Sequence, residues 1–323
     1  MNNDKTLKKQ KISFAEFYSK FGIFVILIVA VIAASLLSDT FLKPTNLVNI
    51  LRQNTVIMIL AFGAQMVLIS GEVDLSPGSV AAFAGCMAAS AQVATGNVLI
   101  AVIAGLLCGA VFGFINGWVV TVCGIPSFIM TLATQFVARG AILAYTNAQP
   151  IRGLGDQFAV IGQGYIGPVP VPIIIMMIVL LIYWIIMNRK RFGRYVFAVG
   201  GNADAAKASG VNVSMIKIKA FVFAGLTAAL GGIILMSRLA SGQPNGAEAY
   251  EFDAITATII GGTSMSGGIG NVPGTVAGAI FVGILINIMT LMDVSAYYQK
   301  IVKGIIIALA VIIDVRVRKA KKI

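Results

Sequence analysis

Long apolar runs separated by short polar breaks fill almost the whole chain. They fall at about residues 21–37, 53–70, 78–95, 97–123, 126–146, 171–187, 217–240, 254–262, 272–292 and 297–314. Most come close to the ~20 residues an α-helix needs to cross ~30 Å of hydrocarbon. The pattern therefore predicts an all-α polytopic membrane protein of about ten transmembrane helices. Two places break the pattern. Gly71-Glu72-Val73-Asp74-Leu75-Ser76-Pro77-Gly78 separates the second and third runs, and the Gly/Ser-rich stretch 261–270 cuts short the eighth. Helix breakers at membrane depth are tolerated only against protein or a water-filled cavity, so broken or re-entrant segments are expected beside a transport path. The other reading of each is an ordinary tight turn.

Composition excludes the other large classes. The chain has 323 residues, 58% hydrophobic and 11% charged, with a mean hydropathy of +0.93. That is too little charge for a soluble enzyme, a disordered chain or a collagen. There is no room for a separate soluble domain. One transmembrane domain is expected over 21–314, between a basic tail at 1–20 and another at 315–323, with a coupling loop at 188–216. The first run is read as an uncleaved span, because it is too long for a signal-peptide core and further spans follow.

Charge sets the orientation. The net charge of +12 lies beside apolar segments and not in a nucleic-acid patch. Lys5, Lys8, Lys9 and Lys11 precede the first run. Arg189, Lys190, Arg191, Arg194 and Lys207 occupy the loop after the sixth, and Arg316, Arg318, Lys319, Lys321 and Lys322 close the chain. All three clusters share the cytoplasmic side if ten crossings are made. Lys43, Arg52, Lys300 and Lys303 fall near the other side.

The chemistry narrows by absence. Without histidine there is no zinc-hydrolase motif, Ser-His-Asp triad or His proton shuttle. Cys86, Cys108 and Cys123 lie in apolar runs and read as small buried hydrophobes. No GxxxxGK[ST] stretch is present, so any nucleotide chemistry belongs to another chain. Gly162-Gln163-Gly164-Tyr165-Ile166-Gly167 fits GxGxxG formally but follows no strand, and reads as a turn. No catalytic residue, metal or cofactor is expected. Within the apolar runs, Gly105, Gly109, Gly113 and Gly117 make a stripe for close helix packing. Pro77-Gly78-Ser79-Val80-Ala81 and Pro273-Gly274-Thr275-Val276-Ala277 form a weak internal echo. Polar groups in runs and breaks are candidates to line a path: Glu72, Asp74, Ser76, Asn116, Gln135, Arg139 and Asn287. Arg139 and Arg238 read either as cavity residues or as side chains snorkelling outward, with Glu248, Glu251 and Asp253 as possible partners.

The loop after the sixth run carries a short capped helix. Asn202 suits an N-cap, Asp204 the positive first turn and Gly210 a left-handed stop. Two turns are not stable alone in water, so this helix must dock on its own chain or on a partner. Here the sequence becomes recognisable. Arg191-Phe192-Gly193-Arg194-Tyr195, then Gly200-Gly201-Asn202 and Ala205-Ala206 through Ser209-Gly210, resembles the cytoplasmic coupling loop of ABC-importer permeases for simple sugars, the ribose permease group above all. GEVDLSPGS (71–79), YTNAQP (145–150), RLASGQP (238–244), YEFDAITATIIGGTSMSGG (250–268) and YYQKIVKG (297–304) resemble it too. Glu72-Val73 departs from the Gly-Ile-like pair expected before Asp74-Leu75-Ser76.

The resemblance implies a homodimeric pore in the bacterial inner membrane, served by a tandem-domain ABC ATPase and an extracytoplasmic sugar-binding protein. The permease itself does no covalent chemistry. ATPase coupling is implied for Arg194, Gly200, Gly201, Asn202, Asp204, Ala205, Ala206, Ser209 and Gly210. Relatives move pentoses, hexoses, nucleosides and an autoinducer-2-like furanosyl compound; ribose is the first choice. An ion-coupled secondary transporter is the alternative class, and would need buried carboxylates in mid-span. An intramembrane enzyme lacks any nucleophile–base–orienter set.

Overall fold

Proline opens several of the helices, and glycine ends or breaks them. The computed structural model describes residues 14–321; the basic stretch 1–13 and the last two residues lie outside it. Thirteen helices follow one another: α1 (Phe14–Leu37), α2 (Pro44–Ile69), α3 (Pro77–Thr95), α4 (Val98–Val122), α5 (Ser127–Thr146), α6 (Gly155–Gln163), α7 (Val171–Arg189), α8 (Arg191–Gly201), α9 (Ala203–Ala208), α10 (Val213–Arg238), α11 (Tyr250–Ile260), α12 (Val272–Leu291) and α13 (Ala296–Lys321). A two-residue hairpin, β1 (Tyr165–Ile166) with β2 (Val169–Pro170), joins α6 to α7. Pro44, Pro77, Pro172 and Pro273 occupy the first or second position of α2, α3, α7 and α12. Their missing N–H is among those no helix can satisfy there.

The all-α membrane architecture stands. Among the described residues, seven helices are long and apolar enough to cross a membrane: α2, α3, α4, α5, α7, α10 and α12. Three other apolar runs fall short of that measure. The apolar part of α1 is Gly22–Leu37. At 11 residues α11 spans about 16 Å. α13 runs on as helix through Lys321, into the basic tail expected at 315–323.

α2 and α10 form the centre. From Asn54 to Ile69 every residue of α2 is buried, so this helix is enclosed by protein all round. α10 packs against α2, α3 and α4. The glycine stripe of α4 makes the last contact possible. A Cβ on Gly109 would collide with the Gly225 carbonyl of α10, and one on Gly225 with the Gly109 carbonyl. The opposite face of α4 exposes Leu107, Val111, Phe114 and Trp118, as a lipid-facing helix should. Of the cysteines, Cys86 is buried, Cys108 half-buried and Cys123 exposed, so only the first meets the sequence expectation.

Candidate functional site: two chain breaks and the helix between them

Between α2 and α3 the chain is not helical, and its backbone donors need partners. Helix α5 supplies them. The Val73 N–H donates to Ser127 Oγ at 3.0 Å, and the Leu75 N–H to Thr131 Oγ1 at 3.0 Å. Two residues of extended chain advance about 6.6 Å and four residues of helix about 6 Å, so hydroxyls at i and i+4 match donors at i and i+2. The segment 71–76 is therefore an extended stretch of chain laid on a helix face and held by it. Gly71, at φ +86°, makes the turn out of α2.

The same face of α5 continues at the same spacing with Gln135 and Arg139. The Gln135 amide donates to Glu251 Oε1 at 3.1 Å. Arg139 donates to the carbonyls of Pro244 and Gly246 at 2.6 and 2.9 Å. Snorkelling is thus replaced by a lock on the 241–249 stretch. Beside this stripe, Asp74 accepts both the backbone N–H (2.9 Å) and the hydroxyl (2.7 Å) of Ser76. Asn116 donates to Ser76 Oγ at 3.1 Å and accepts from the Thr134 hydroxyl. Asp74, Ser76, Asn116 and Thr134 are all buried. Glu251 is 2% exposed, and its Oε2 has no hydrogen-bond partner. That oxygen lies where a Cβ on Gly78 would be, at the first turn of α3, where the helix dipole favours negative charge.

Of the seven sequence candidates, Asp74, Ser76, Asn116, Gln135 and Arg139 come together. Two do not. Asn287 exchanges two hydrogen bonds with Asn46, at 3.0 and 2.9 Å, between α12 and α2. Glu72 points the other way along the break and pairs with Lys217 in the second turn of α10. Arg238 does not find an acidic partner; it donates to the Gln53 carbonyl at 3.2 Å. The acids once matched to it are used elsewhere: Asp253 pairs with Lys303 at 2.7 Å and Glu248 with Lys300 at 3.3 Å.

The second break, 261–271, is held from α2. Gln65 is fully buried and donates to Thr263 Oγ1 (3.0 Å) and to the Asn271 carbonyl (2.9 Å). The Tyr183 hydroxyl of α7 donates to its oxygen at 2.9 Å. The signal for Gln65 was present in the sequence, since it is as isolated among apolar residues as Asn287.

The two breaks meet at α8. The Gly268 N–H donates to the Ile69 carbonyl at 2.9 Å. A Cβ on Gly200 would strike that same carbonyl and crowd Gly268; a Cβ on Gly267 would crowd both Gly200 and Gly71. The C-terminal turn of α8 is thus seated in backbone contact with both breaks. α8 buries Gly193, Val196 and Val199 and exposes Arg191, Arg194 and Tyr195. α9 follows with the expected caps: Asn202 Oδ1 accepts from the Ala205 N–H at 2.9 Å, and Gly210 has φ +82°. One expectation fails. Ala206 does not belong to the exposed surface of α9; it is 5% exposed, turned onto its own chain, and its carbonyl accepts from the Val211 N–H. The outward face is Asp204, Ala205, Lys207, Ala208 and Ser209.

A family model described as the permease component of the branched-chain amino acid transport system matches residues 46–311. The chain belongs to this permease family. The match takes in both breaks, the α5 stripe, α8 and α9. Among curated relatives, the ribose import permease protein RbsC of Bacillus subtilis (strain 168) is 42% identical over 95% of this chain and 96% of the relative. RbsC of Escherichia coli (strain K12) is 42% identical over 89% of this chain and 91% of its own length. The D-allose transport system permease protein AlsC of the same organism is 34% identical over 95% of each chain. No solved structure matches the chain. As a permease of this family it has a membrane-embedded fold and, among the described residues, no group of His, Cys, Asp and Glu fit for a metal.

Proposed function

We propose that this chain is the pore-forming subunit of an ATP-driven importer of a simple sugar, with ribose as the substrate. The observation that carries the substrate is the 42% identity to ribose import permeases over nearly the full length; relatives named for xylose and D-allose stand at 34%. The chain makes ten crossings, α1, α11 and α13 joining the seven long apolar helices. It works as a homodimer in the bacterial inner membrane, with both termini and α8–α9 in the cytoplasm. A tandem-domain ATPase docks on α8–α9, and an extracytoplasmic binding protein delivers the sugar. The seat of Gly200 against both breaks supports a coupling route. A push on α8–α9 moves the Ile69–Gly71 and Gly267–Gly268 turns together, and the Glu72–Lys217 pair ties the first break to α10. Asp74, Ser76, Asn116, Gln135 and Arg139 then offer the hydroxyl-binding groups a sugar needs on its way, the first two on the non-helical first break and the others on α4 and α5 beside it.

The test is uptake of labelled ribose into proteoliposomes holding the permease and its cognate ATPase, with ATP inside and the binding protein outside. ATP-dependent ribose accumulation is the expected result. Uptake of xylose or allose but not ribose changes the substrate only. A second reading has one observation in its favour: Glu251, Asp74 and Asp253 are buried carboxylates, and an ion-coupled transporter would need such groups in mid-span. Uptake driven by an ion gradient without ATP selects that reading and rejects the importer.

A further inference from the structure

The membrane-facing surface carries a groove of about 480 Å³ among α1, α7 and α12. Phe24, Leu27, Leu181, Trp184, Val276 and Ile280 line it, and its walls are apolar throughout. It is within the size range of cavities that take small or chain-like ligands, roughly 300–1,000 Å³. Its position along the helices is definite. It uses α7 from Met177 to Trp184, its middle and the start of its last turns, and the first three turns of α12. α7 runs directly into α8, and α12 starts at the break seated on α8, so the groove lies in the leaflet on the α8 side.

The mouth at that end is cationic. The Arg189 guanidinium sits over the Trp184 ring, 5.5 Å from its centroid, so the charge is fixed at the rim by a residue that lines the groove. Lys190 and Arg191 follow, and all three are exposed. Among the described residues none of the three takes part in an ion pair. An apolar trough in the hydrocarbon layer that ends under free basic side chains matches one kind of molecule: an acyl chain with a negatively charged head.

We propose that the α1–α7–α12 groove is a binding site for an anionic phospholipid, one acyl chain lying along Trp184 and Val276 and the headgroup phosphate held by Arg189 to Arg191. This rests on the membrane orientation proposed above, which puts the groove in the cytoplasmic leaflet. Occupancy braces α7 against α12 just above their junctions with α8. The lipid therefore sets how firmly the coupling region is held, and neutral lipid fills the trough without anchoring there.

Native mass spectrometry of the full chain, extracted in mild detergent and offered phosphatidylglycerol and phosphatidylcholine in equal amounts, tests the site. Retention of phosphatidylglycerol over phosphatidylcholine by roughly 30-fold or more is expected from two or three basic contacts. Arg189→Gln with Lys190→Gln should bring the two lipids level, and Leu181→Trp, an exposed side chain that would fill the trough, should lower retention of both. Equal retention of the two lipids by the unaltered chain overturns the proposal, and so does undiminished phosphatidylglycerol preference in the Gln variant. Efficient cross-linking between two copies through Leu181→Cys, on a Cys-free background in membranes, also overturns it, because a second chain would then occupy the groove. Lipid retention is read without transport, so its failure leaves the importer reading intact. A C-terminal reporter on the outer face would remove the orientation without altering retention.

Discussion

Alanine at Gly200 and alanine at Gly201 should have opposite consequences, although the two glycines are neighbours in one helix turn. A Cβ at Gly200 meets the Ile69 carbonyl oxygen at a separation no real Cβ occupies, with the Gly268 amide close behind. That carbonyl already accepts the Gly268 N–H at 2.9 Å. Room is made only by moving backbone, since no flexible side chain stands in the way. Overpacking of this kind costs about 1–3 kcal/mol. Losing the Ile69–Gly268 bond adds about 0.5–1.5 kcal/mol, so Gly200→Ala should lose roughly 2–4 kcal/mol. A Cβ at Gly201 meets nothing within 4 Å. Gly201→Ala should be neutral, or gain up to about 1 kcal/mol from lower flexibility of the unfolded chain.

The assay is thermal stability of the purified permease by size-exclusion, read beside co-purification of the ATPase. Gly200→Ala should melt several degrees lower, and the loosened contact should reduce ATP-driven transport more than ATPase association. Gly201→Ala should melt normally, so any transport defect it shows reports on docking alone. Equal melting of Gly200→Ala and the unaltered chain would refute the seat of α8 between the breaks.

Thr131→Val leaves the Leu75 N–H without an acceptor and should cost about 1–3 kcal/mol, with Thr131→Ser restoring most of it; thermal melting of the three proteins checks this. Gln65→Leu strands the Tyr183 hydroxyl and the Asn271 carbonyl and should cost about 2–4 kcal/mol. Adding Tyr183→Phe should recover part of that loss, because it removes one orphan donor; additive losses in the double variant would count against the shared bond. Cysteines at Ser76 and Gln135, in a functional Cys-free permease with its partners, should react with small water-soluble thiol reagents during turnover, while one at Asn287 should not. Inertness at both of the first two would remove them from the path.

The fold was legible wherever one helix had to supply one signal. Apolar runs placed the seven helices long enough to cross a membrane, the four-residue glycine spacing of α4 announced its packing against another backbone, and Asn202 and Gly210 marked α9. What the sequence concealed was pairing across distance. Asn287 and Gln65 look alike in the sequence as lone amides among apolar residues, yet one meets Asn46 and the other holds a break 198 residues away. The α8 helix was hidden for a different reason. Phe192, Val196 and Val199 do keep helical spacing, but Arg189, Lys190, Arg191 and Arg194 around them make the stretch read as a basic polar loop. Ala206 was misplaced because alanine gives no hint of which side of a helix faces inward.

The most informative pattern was open to sequence reading and is easily passed over: Ser127, Thr131, Gln135 and Arg139 recur every four residues, which puts them on one face of α5. Each serves a segment that is not a regular membrane helix at the point of contact. The first two hold the extended chain at 73–75, the third holds Glu251 in the first turn of the 11-residue α11, and the fourth holds the carbonyls of 244 and 246. Irregular chain on both sides of the site therefore hangs from a single helix by side-chain hydrogen bonds, whereas α2 and α10 hold their neighbours by burial. Such bonds contribute on the order of 1 kcal/mol each and can be exchanged for water or a sugar hydroxyl at little net cost. Buried apolar contacts have no such substitute. A permease that must open a path and close it again in every cycle can move the segments hung from α5 far more cheaply than it can part α2 from α10. The moving parts should accordingly be the first break, the 241–249 stretch and α11, with the α2–α10 pair staying fixed between outward- and inward-facing states.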